Sequence, residues 1–180
     1  MISINEKLSS LKMIISDVDG VLTDGSVYKG TGGAEFKRFS INDGTGFALA
    51  RSAGYKIALI SGRFSESTLI RADELKITDV YNGTLNKVKP LNELRIKYGL
   101  ENKEIAYLGD DLIDLPIMEL VGVPMAVANA SDIVKEAAVY TTEKAGGEGA
   151  FTDCIEWILK SLGLYDSIVK NLKDQINKSA

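Results

Sequence analysis

The sequence predicts an α/β fold, an open and doubly wound sheet of parallel strands with helices on both faces. Three observations predict it. Short apolar runs alternate with amphipathic stretches along the chain. The runs are continuous rather than period-two, as expected for strands buried on both faces of a parallel sheet. Polar motifs follow several of them, at the strand ends beyond which ligands bind in such sheets.

The elements follow in order. The opening MISINEKLSSLK is polar and lacks the apolar stretch of a signal peptide. The first strand, Lys12–Ser16, carries Met13-Ile14-Ile15 and runs into Asp17-Val18-Asp19-Gly20-Val21-Leu22-Thr23. Two carboxylates spaced by two fall on one side of a strand end, and Gly20 lets the chain turn beside them. A bare pair of this kind would only solvate the strand end. The alternation then breaks. Ser26–Lys29, the glycine-rich Gly30-Thr31-Gly32-Gly33 and Ala34–Phe39 read as a hairpin over 26–39. Its Val27, Tyr28, Phe36 and Phe39 need cover from the body or from another subunit. A helix over 44–53 leads to strand Lys56–Ile60 and to Ser61-Gly62-Arg63, which alone would be a common turn.

A helix over 65–76 and strand Asp79–Tyr81 precede Lys87, which alone would be a solvated lysine, and a helix over 88–98. Strand Ile105–Leu108 ends in Gly109-Asp110-Asp111-Leu112-Ile113-Asp114, acids that alone would suit the start of a helix, here over 113–121. Strand Met125–Ala128, a helix over 131–137, strand Val139–Thr141 and a helix over 150–162 follow. Leu164, Ile168, Leu172 and Ile176, four apart, predict a last amphipathic helix over 164–178, on the domain surface or at a subunit contact. The whole reads as one domain over residues 1–180.

Composition narrows the chemistry. The 180 residues carry a net charge of −4, so bulk charge does not suggest a nucleic-acid partner, and no apolar run has the length of a membrane span. The single cysteine, Cys154, rules out an intrachain disulfide and points to the cytoplasm. There is no histidine. That excludes Ser-His-Asp and Cys-His catalysis and His-ligated zinc. Proton transfer then falls to carboxylate, lysine, tyrosine or thiol, and a metal site must be built mainly of oxygen, which suits magnesium or calcium.

Four strand-end groups together, Asp17 with Asp19, Ser61 with Gly62, Lys87, and Asp110 with its neighbours, are the means to hold a magnesium-bound phosphate. A carboxylate can attack phosphorus. A second can protonate the leaving alcohol and then deprotonate water. A hydroxyl, backbone N–H groups and a lysine can hold the remaining phosphate oxygens.

In this order the motifs resemble those of the haloacid dehalogenase superfamily of phosphohydrolases. The resemblance implies a Rossmann-like, capless core. It implies Asp17 as nucleophile, Asp19 as acid and base, and Ser61 and Lys87 as phosphoryl binders. Magnesium would sit on Asp17, the carbonyl of Asp19 and Asp110, with Asp111 and Asp114 in support. Over residues 10–162 the chain is further similar to the 3-deoxy-D-manno-octulosonate 8-phosphate (KDO 8-phosphate) phosphatases. The signs are DVDGVLTDG, the hairpin in place of a cap, Asn42-Asp43-Gly44-Thr45-Gly46, Ser61-Gly62-Arg63, GDDLIDLPIM at 109–118 and Gly146-Gly147-Glu148-Gly149-Ala150.

That resemblance implies a homotetramer joined through the hairpins, with the glycine-rich tail of one subunit over a neighbour's site. Around the substrate it implies Ser40, Asn42, Asp43, Gly44, Gly62, Arg63 and Arg71 with Asp19 and Lys87. Arg71 suits an ion pair with Glu74 or Glu66 equally well. The chain departs from the family at Ser40, Asn42, Ala48 and Thr152-Asp153, where relatives carry an asparagine, a basic residue, an arginine and Arg-Glu. The expected function is therefore a magnesium-dependent phosphatase of a small sugar acid phosphate, with KDO 8-phosphate ahead of a nonulosonate 9-phosphate. The competing readings are a broad phosphatase of small phosphates and a non-catalytic binding module on the same fold. No nucleic acid or membrane partner is expected.

Overall fold

The structure is a computed structural model and describes residues 3–178. The chain enters through a short helix, α1 (Ile4–Ser9), and runs along β1 (Met13–Ser16). A hairpin of β2 (Tyr28–Lys29) and β3 (Glu35–Phe36) follows, then α2 (Asn42–Ser52), β4 (Lys56–Ser61), α3 (Glu66–Glu74) and β5 (Asp79–Asn82). The second half runs α4 (Val88–Tyr98), β6 (Ile105–Gly109), α5 (Leu115–Met118), β7 (Val123–Ala126), α6 (Asp132–Ala137), β8 (Tyr140–Thr141), α7 (Ala150–Ser161) and α8 (Tyr165–Lys178).

Six strands form one sheet in the order β5-β4-β1-β6-β7-β8, every neighbouring pair parallel. The expected fold class is the observed one. Strand β1 is central, and the chain leaves it first toward β4 and β5 and later returns on its other side as β6. This reversal opens a crevice beyond the carboxyl ends of β1, β4 and β6. In register, Ser16 lies opposite both Leu59 and Leu108. The residues following all three strands therefore emerge together.

The strands are apolar on both faces because helices cover both. Met13, Ile14, Ile15, Leu59, Ile60, Leu108, Val123 and Met125 are buried. Helices α2 and α7 pack closely: the rings of Phe47 and Phe151 stack 4.0 Å apart. A methyl group on Gly46 would lie 2.7 Å from the Thr152 Cα, so only glycine allows that approach. Gly99, at φ 62°, ends α4 in the left-handed conformation that glycine favours. The partly buried Ile168, Val169 and Leu172 of α8 lie against the core, whereas Leu164 and Ile176 stay exposed.

Several boundaries differ from expectation. Helix α1 was not foreseen, although Ser3 and Glu6 form a capping box that announces it. Strand β7 starts at Val123 and includes Pro124, whose carbonyl still accepts from the Val139 N–H at the entry to the edge strand. The helix expected over 113–121 is a 3₁₀ turn, Leu112–Asp114, followed by the four-residue α5. The hairpin keeps only two residues in each strand, joined through Thr31–Gly33 with Gly32 at φ 70°. Among the described residues no helix is long and apolar enough to cross a membrane.

Candidate active site

The loop after β1 is wound about one carbonyl. That of Val18 accepts from the N–H groups of Val21, Leu22 and Thr23 at 3.3, 2.9 and 3.1 Å. Val18 itself is buried, which leaves Asp17 and Asp19 on the crevice side. Asp17 continues the ladder, its N–H donating to the Leu108 carbonyl at 2.9 Å. Gly20 has φ 87°, and a Cβ there would sit 2.0 Å from Asp110 Oδ2. Glycine is thus required twice, by its conformation and by the approach of the second acid.

Strand β6 delivers Asp110, and the turn after it folds Asp114 back beneath. Asp114 is fully buried and accepts four bonds. Its Oδ1 takes Lys87 Nζ and the Tyr107 hydroxyl, each at 2.6 Å. Its Oδ2 takes the N–H groups of Asp110 and Asp111 at 2.9 and 3.2 Å. Gly109 permits this return, since a Cβ there would meet Asp114 Oδ2 at 2.6 Å. Lys87 Nζ also lies 2.8 Å from Asp17 Oδ1 as an ion pair and 3.1 Å from the Tyr107 hydroxyl. Burial pulls the Lys87 pKa down, but the charges of Asp17 and Asp114 outweigh it, and the amine stays charged above the usual lysine value. Burial pushes the Tyr107 hydroxyl well above its ordinary range.

One carboxylate oxygen each of Asp17, Asp110 and Asp114 lies within 4.8 Å of the others. Burial raises the pKa of Asp17, against the opposing charge of Lys87. Burial also raises that of Asp110, and the charge of Asp17 adds to it. Three acids, Asp17 and Asp114 buried and Asp110 half-buried, face one lysine and lack positive charge. Asp114 spends its oxygens on four donors, whereas Asp110 Oδ1 is buried and accepts no hydrogen bond, and Asp17 Oδ1, also buried, has the ion pair with Lys87 but no well-aligned hydrogen bond. Those two oxygens fit a hard divalent cation with oxygen ligands.

Asp19 points elsewhere. Its Oδ1 lies 2.7 Å from Lys37 Nζ, and its Oδ2 accepts from Lys37 at 2.9 Å and from the Ser61 hydroxyl at 3.2 Å. Of Asp19, then, the main-chain carbonyl rather than the carboxylate is what a metal could use. The single hydroxyl proton of Ser61, at the end of β4, is shared between Asp19 and the nearer Arg63 carbonyl at 2.7 Å.

A cleft of about 320 Å³ lies over these groups, lined by Asp17, Asp19, Gly20, Gly62, Arg63, Asp110 and Asp111, with Val27, Leu85 and Ile113 as apolar wall. Asp111 caps the following turn through the Leu112 N–H at 2.7 Å. Arg63 ion-pairs with Glu35 at 2.5 Å.

Six of the residues expected around substrate do not line this cleft: Lys87 is buried beside Asp17, and five others lie elsewhere. Asp43 is buried at the junction of α2 and α7, where its Oδ1 accepts from the N–H groups of Phe151 and Thr152 at 3.1 and 3.3 Å. Asn42 gives its carbonyl to the Thr152 hydroxyl at 2.7 Å. Gly44 follows them into α2. Ser40 accepts from the Asn42 N–H at 3.2 Å, and its carbonyl accepts from Arg71 at 3.1 Å. Arg71 is in ion pair with Glu74 at 2.9 Å, one of the two partners weighed for it. The glycine-rich tail also turns inward within its own chain. Gly147 N–H donates to the Val21 carbonyl at 3.0 Å, and a Cβ on Gly146 would lie 1.7 Å from the Gly20 carbonyl oxygen.

Sequence reasoning missed Lys37, Glu35 and Tyr107. The signal for Tyr107 was a polar-tipped ring inside an apolar buried strand, which needs a partner for its hydroxyl. For Glu35 and Lys37 it was their period-two spacing across Phe36.

A profile of haloacid dehalogenase-like hydrolases matches residues 57–152. The 3-deoxy-D-manno-octulosonate 8-phosphate phosphatase KdsC of Escherichia coli is 39% identical over 160 residues, 89% of this chain and 85% of that one. A structure of a HAD superfamily (subfamily III A) hydrolase from Legionella pneumophila superposes with a TM-score of 0.90 at 36% identity, covering 94% of this chain and 93% of that one. The 3-deoxy-D-manno-octulosonate 8-phosphate phosphatase of Moraxella catarrhalis, in complex with magnesium, phosphate and KDO, superposes at 0.88 with 34% identity over 92% and 95% of the two chains.

Proposed function

The chain belongs to the 3-deoxy-D-manno-octulosonate 8-phosphate phosphatase family of haloacid dehalogenase-like hydrolases, and from that premise we propose that it is a magnesium-dependent phosphatase converting KDO 8-phosphate to KDO and phosphate, a step in lipopolysaccharide precursor synthesis. The observation that carries the reading is the convergence of Asp17, Lys87 and Asp110 beneath a cleft that also holds Asp19 and Arg63.

Asp17 attacks phosphorus through a carboxylate oxygen as the bond from phosphorus to the sugar oxygen breaks. Asp19 gives its proton to that oxygen, which leaves as the free alcohol, and an aspartyl-phosphate remains on Asp17. Asp19, now a base, takes a proton from a water that attacks the same phosphorus, releasing phosphate and restoring Asp17. Lys87 and Ser61 hold phosphoryl oxygens through both steps. Asp17, Asp110 and the Asp19 carbonyl hold magnesium, with Asp111 and Asp114 in support; the ion, when bound, offsets the repulsion between Asp17 and the phosphoryl group. Arg63 meets the substrate carboxylate.

We further read the chain as one domain, with the hairpin as its insertion, working in the cytoplasm as a homotetramer. Tyr28 and Phe36 are 47% and 61% exposed on the hairpin's outer side, which supports association there. The deciding experiment is phosphate release from a panel of sugar acid phosphates, with magnesium and with chelator. Preference for KDO 8-phosphate, lost on chelation, is expected. Preference for a nonulosonate 9-phosphate, or full activity in chelator, would refute the reading.

A further inference from the structure

The inner face of the hairpin reaches the site. Along Glu35-Phe36-Lys37 side chains alternate as strand geometry requires. Phe36 turns out to solvent, while Glu35 and Lys37 turn to the body. The Ser67 hydroxyl fastens the strand by donating to the Glu35 carbonyl at 3.1 Å. The Lys37 side chain is 0% exposed, and its amine ends on both oxygens of Asp19 and on Thr68 Oγ1 at 3.2 Å. A buried ammonium is costly unless it is paired and hydrogen-bonded, and here Asp19 is the ion-pair partner. Among the described residues, apart from Lys37, only the Ser61 hydroxyl reaches the Asp19 carboxylate, at 3.2 Å, and its one proton is shared with the nearer Arg63 carbonyl.

We propose that Lys37 is a positioning residue for Asp19: its two-point grip on the carboxylate fixes where the acid delivers its proton to the leaving oxygen. The proposal rests on Asp19 being the acid of the reaction. It gives the hairpin a chemical task in its own subunit, separate from any contact it makes with another. A carboxyl that must meet the leaving oxygen and later a water at one point gains most from being held still. The consequence depends on the leaving group. A sugar alcohol is a poor leaving group and needs the proton as the bond to phosphorus breaks. 4-Nitrophenolate is a good one and scarcely does.

The test compares kcat/KM for KDO 8-phosphate and 4-nitrophenyl phosphate in the wild type, Lys37→Met and Asp19→Asn, since kcat/KM reports the step in which the leaving group departs. Lys37→Met should lose about ten- to a hundredfold on the sugar phosphate and less than about threefold on the aryl phosphate. Asp19→Asn should show the same selectivity, more strongly, at about 10²- to 10⁴-fold. If Lys37→Met does not fold, as read from its melting curve, Lys37→Gln is put through the same comparison, because it keeps a donor without the charge. Equal losses on both substrates, or no loss, with Asp19→Asn still selective, would overturn the role of Lys37. An unselective Asp19→Asn would instead overturn the acid assignment on which the proposal stands.

Discussion

Replacing Asp43 by asparagine should change how stability depends on pH, and the structure sets the size of the change. Asp43 is 2% exposed, and its Oδ1 caps the first turn of α7 through Phe151 and Thr152. Its Oδ2 is buried without a hydrogen-bond partner. Burial lifts its pKa from 3.8 to about 6, against the pull of the two backbone donors and of Arg71 and Lys144. The difference of about 2.2 pH units, at about 1.36 kcal/mol each, means that ionising Asp43 costs the folded state about 3 kcal/mol relative to the unfolded chain. The sign follows from proton binding. The folded state holds this proton more tightly, so the contribution is full below pH 3.8 and is lost as pH rises through about 6.

The variant keeps an oxygen to accept the two N–H groups and has nothing to titrate. Urea unfolding of both proteins from about pH 4 to pH 7 should therefore show wild type losing about 2 kcal/mol relative to Asp43→Asn. Taking the difference cancels other acids, Asp17 and Asp110 included. A difference that stays constant with pH would refute the reasoning, and so would wild type gaining on the variant as pH rises.

Three further outcomes are expected. Asp17→Asn should fold and bind magnesium less tightly, with phosphatase activity abolished; turnover within about tenfold of wild type would remove Asp17 as nucleophile. Arg63→Ala should lose about ten- to a hundredfold in kcat/KM on KDO 8-phosphate and little on an aryl phosphate, the value of one charged hydrogen bond to a carboxylate that only the sugar acid has; equal loss on both would assign Arg63 to phosphate or to its loop. Light scattering at micromolar concentration should give the mass of a tetramer, which serine in place of Tyr28 and Phe36 should dissociate; a monomeric wild type would end the proposed assembly.

The class of fold was legible because its cause is local. Runs of apolar residues such as Met13-Ile14-Ile15, Ile57-Ala58-Leu59-Ile60 and Ile105–Leu108 form the central strands, and a strand of that kind must be covered on both faces. The crevice was legible for the same reason: Asp17, Ser61 and Asp110 lie at or just beyond the ends of β1, β4 and β6, and a parallel sheet brings such ends together. The absence of histidine removed the main competing chemistries before any geometry was known.

The direction of side chains in loops, and the partners that bury them, were not legible. Asp43 sits in a motif that suggested substrate, yet α7, more than a hundred residues later, presents two unpaired N–H groups that claim it. Gly146 and Gly147 stand in a glycine-rich stretch because the loop after β1 passes too close to their backbone for any side chain, a contact with residues more than a hundred positions earlier. Lys37 carried no motif at all. It became part of the site only because the segment after β3 turns its amine inward onto Asp19 and Thr68. Sequence alone determined which chemical groups reach the crevice from the strand ends. Tertiary structure decided which of the remaining charges join them, because a buried charge goes to the partner that packing brings within a few ångströms, and that partner can lie anywhere in the chain.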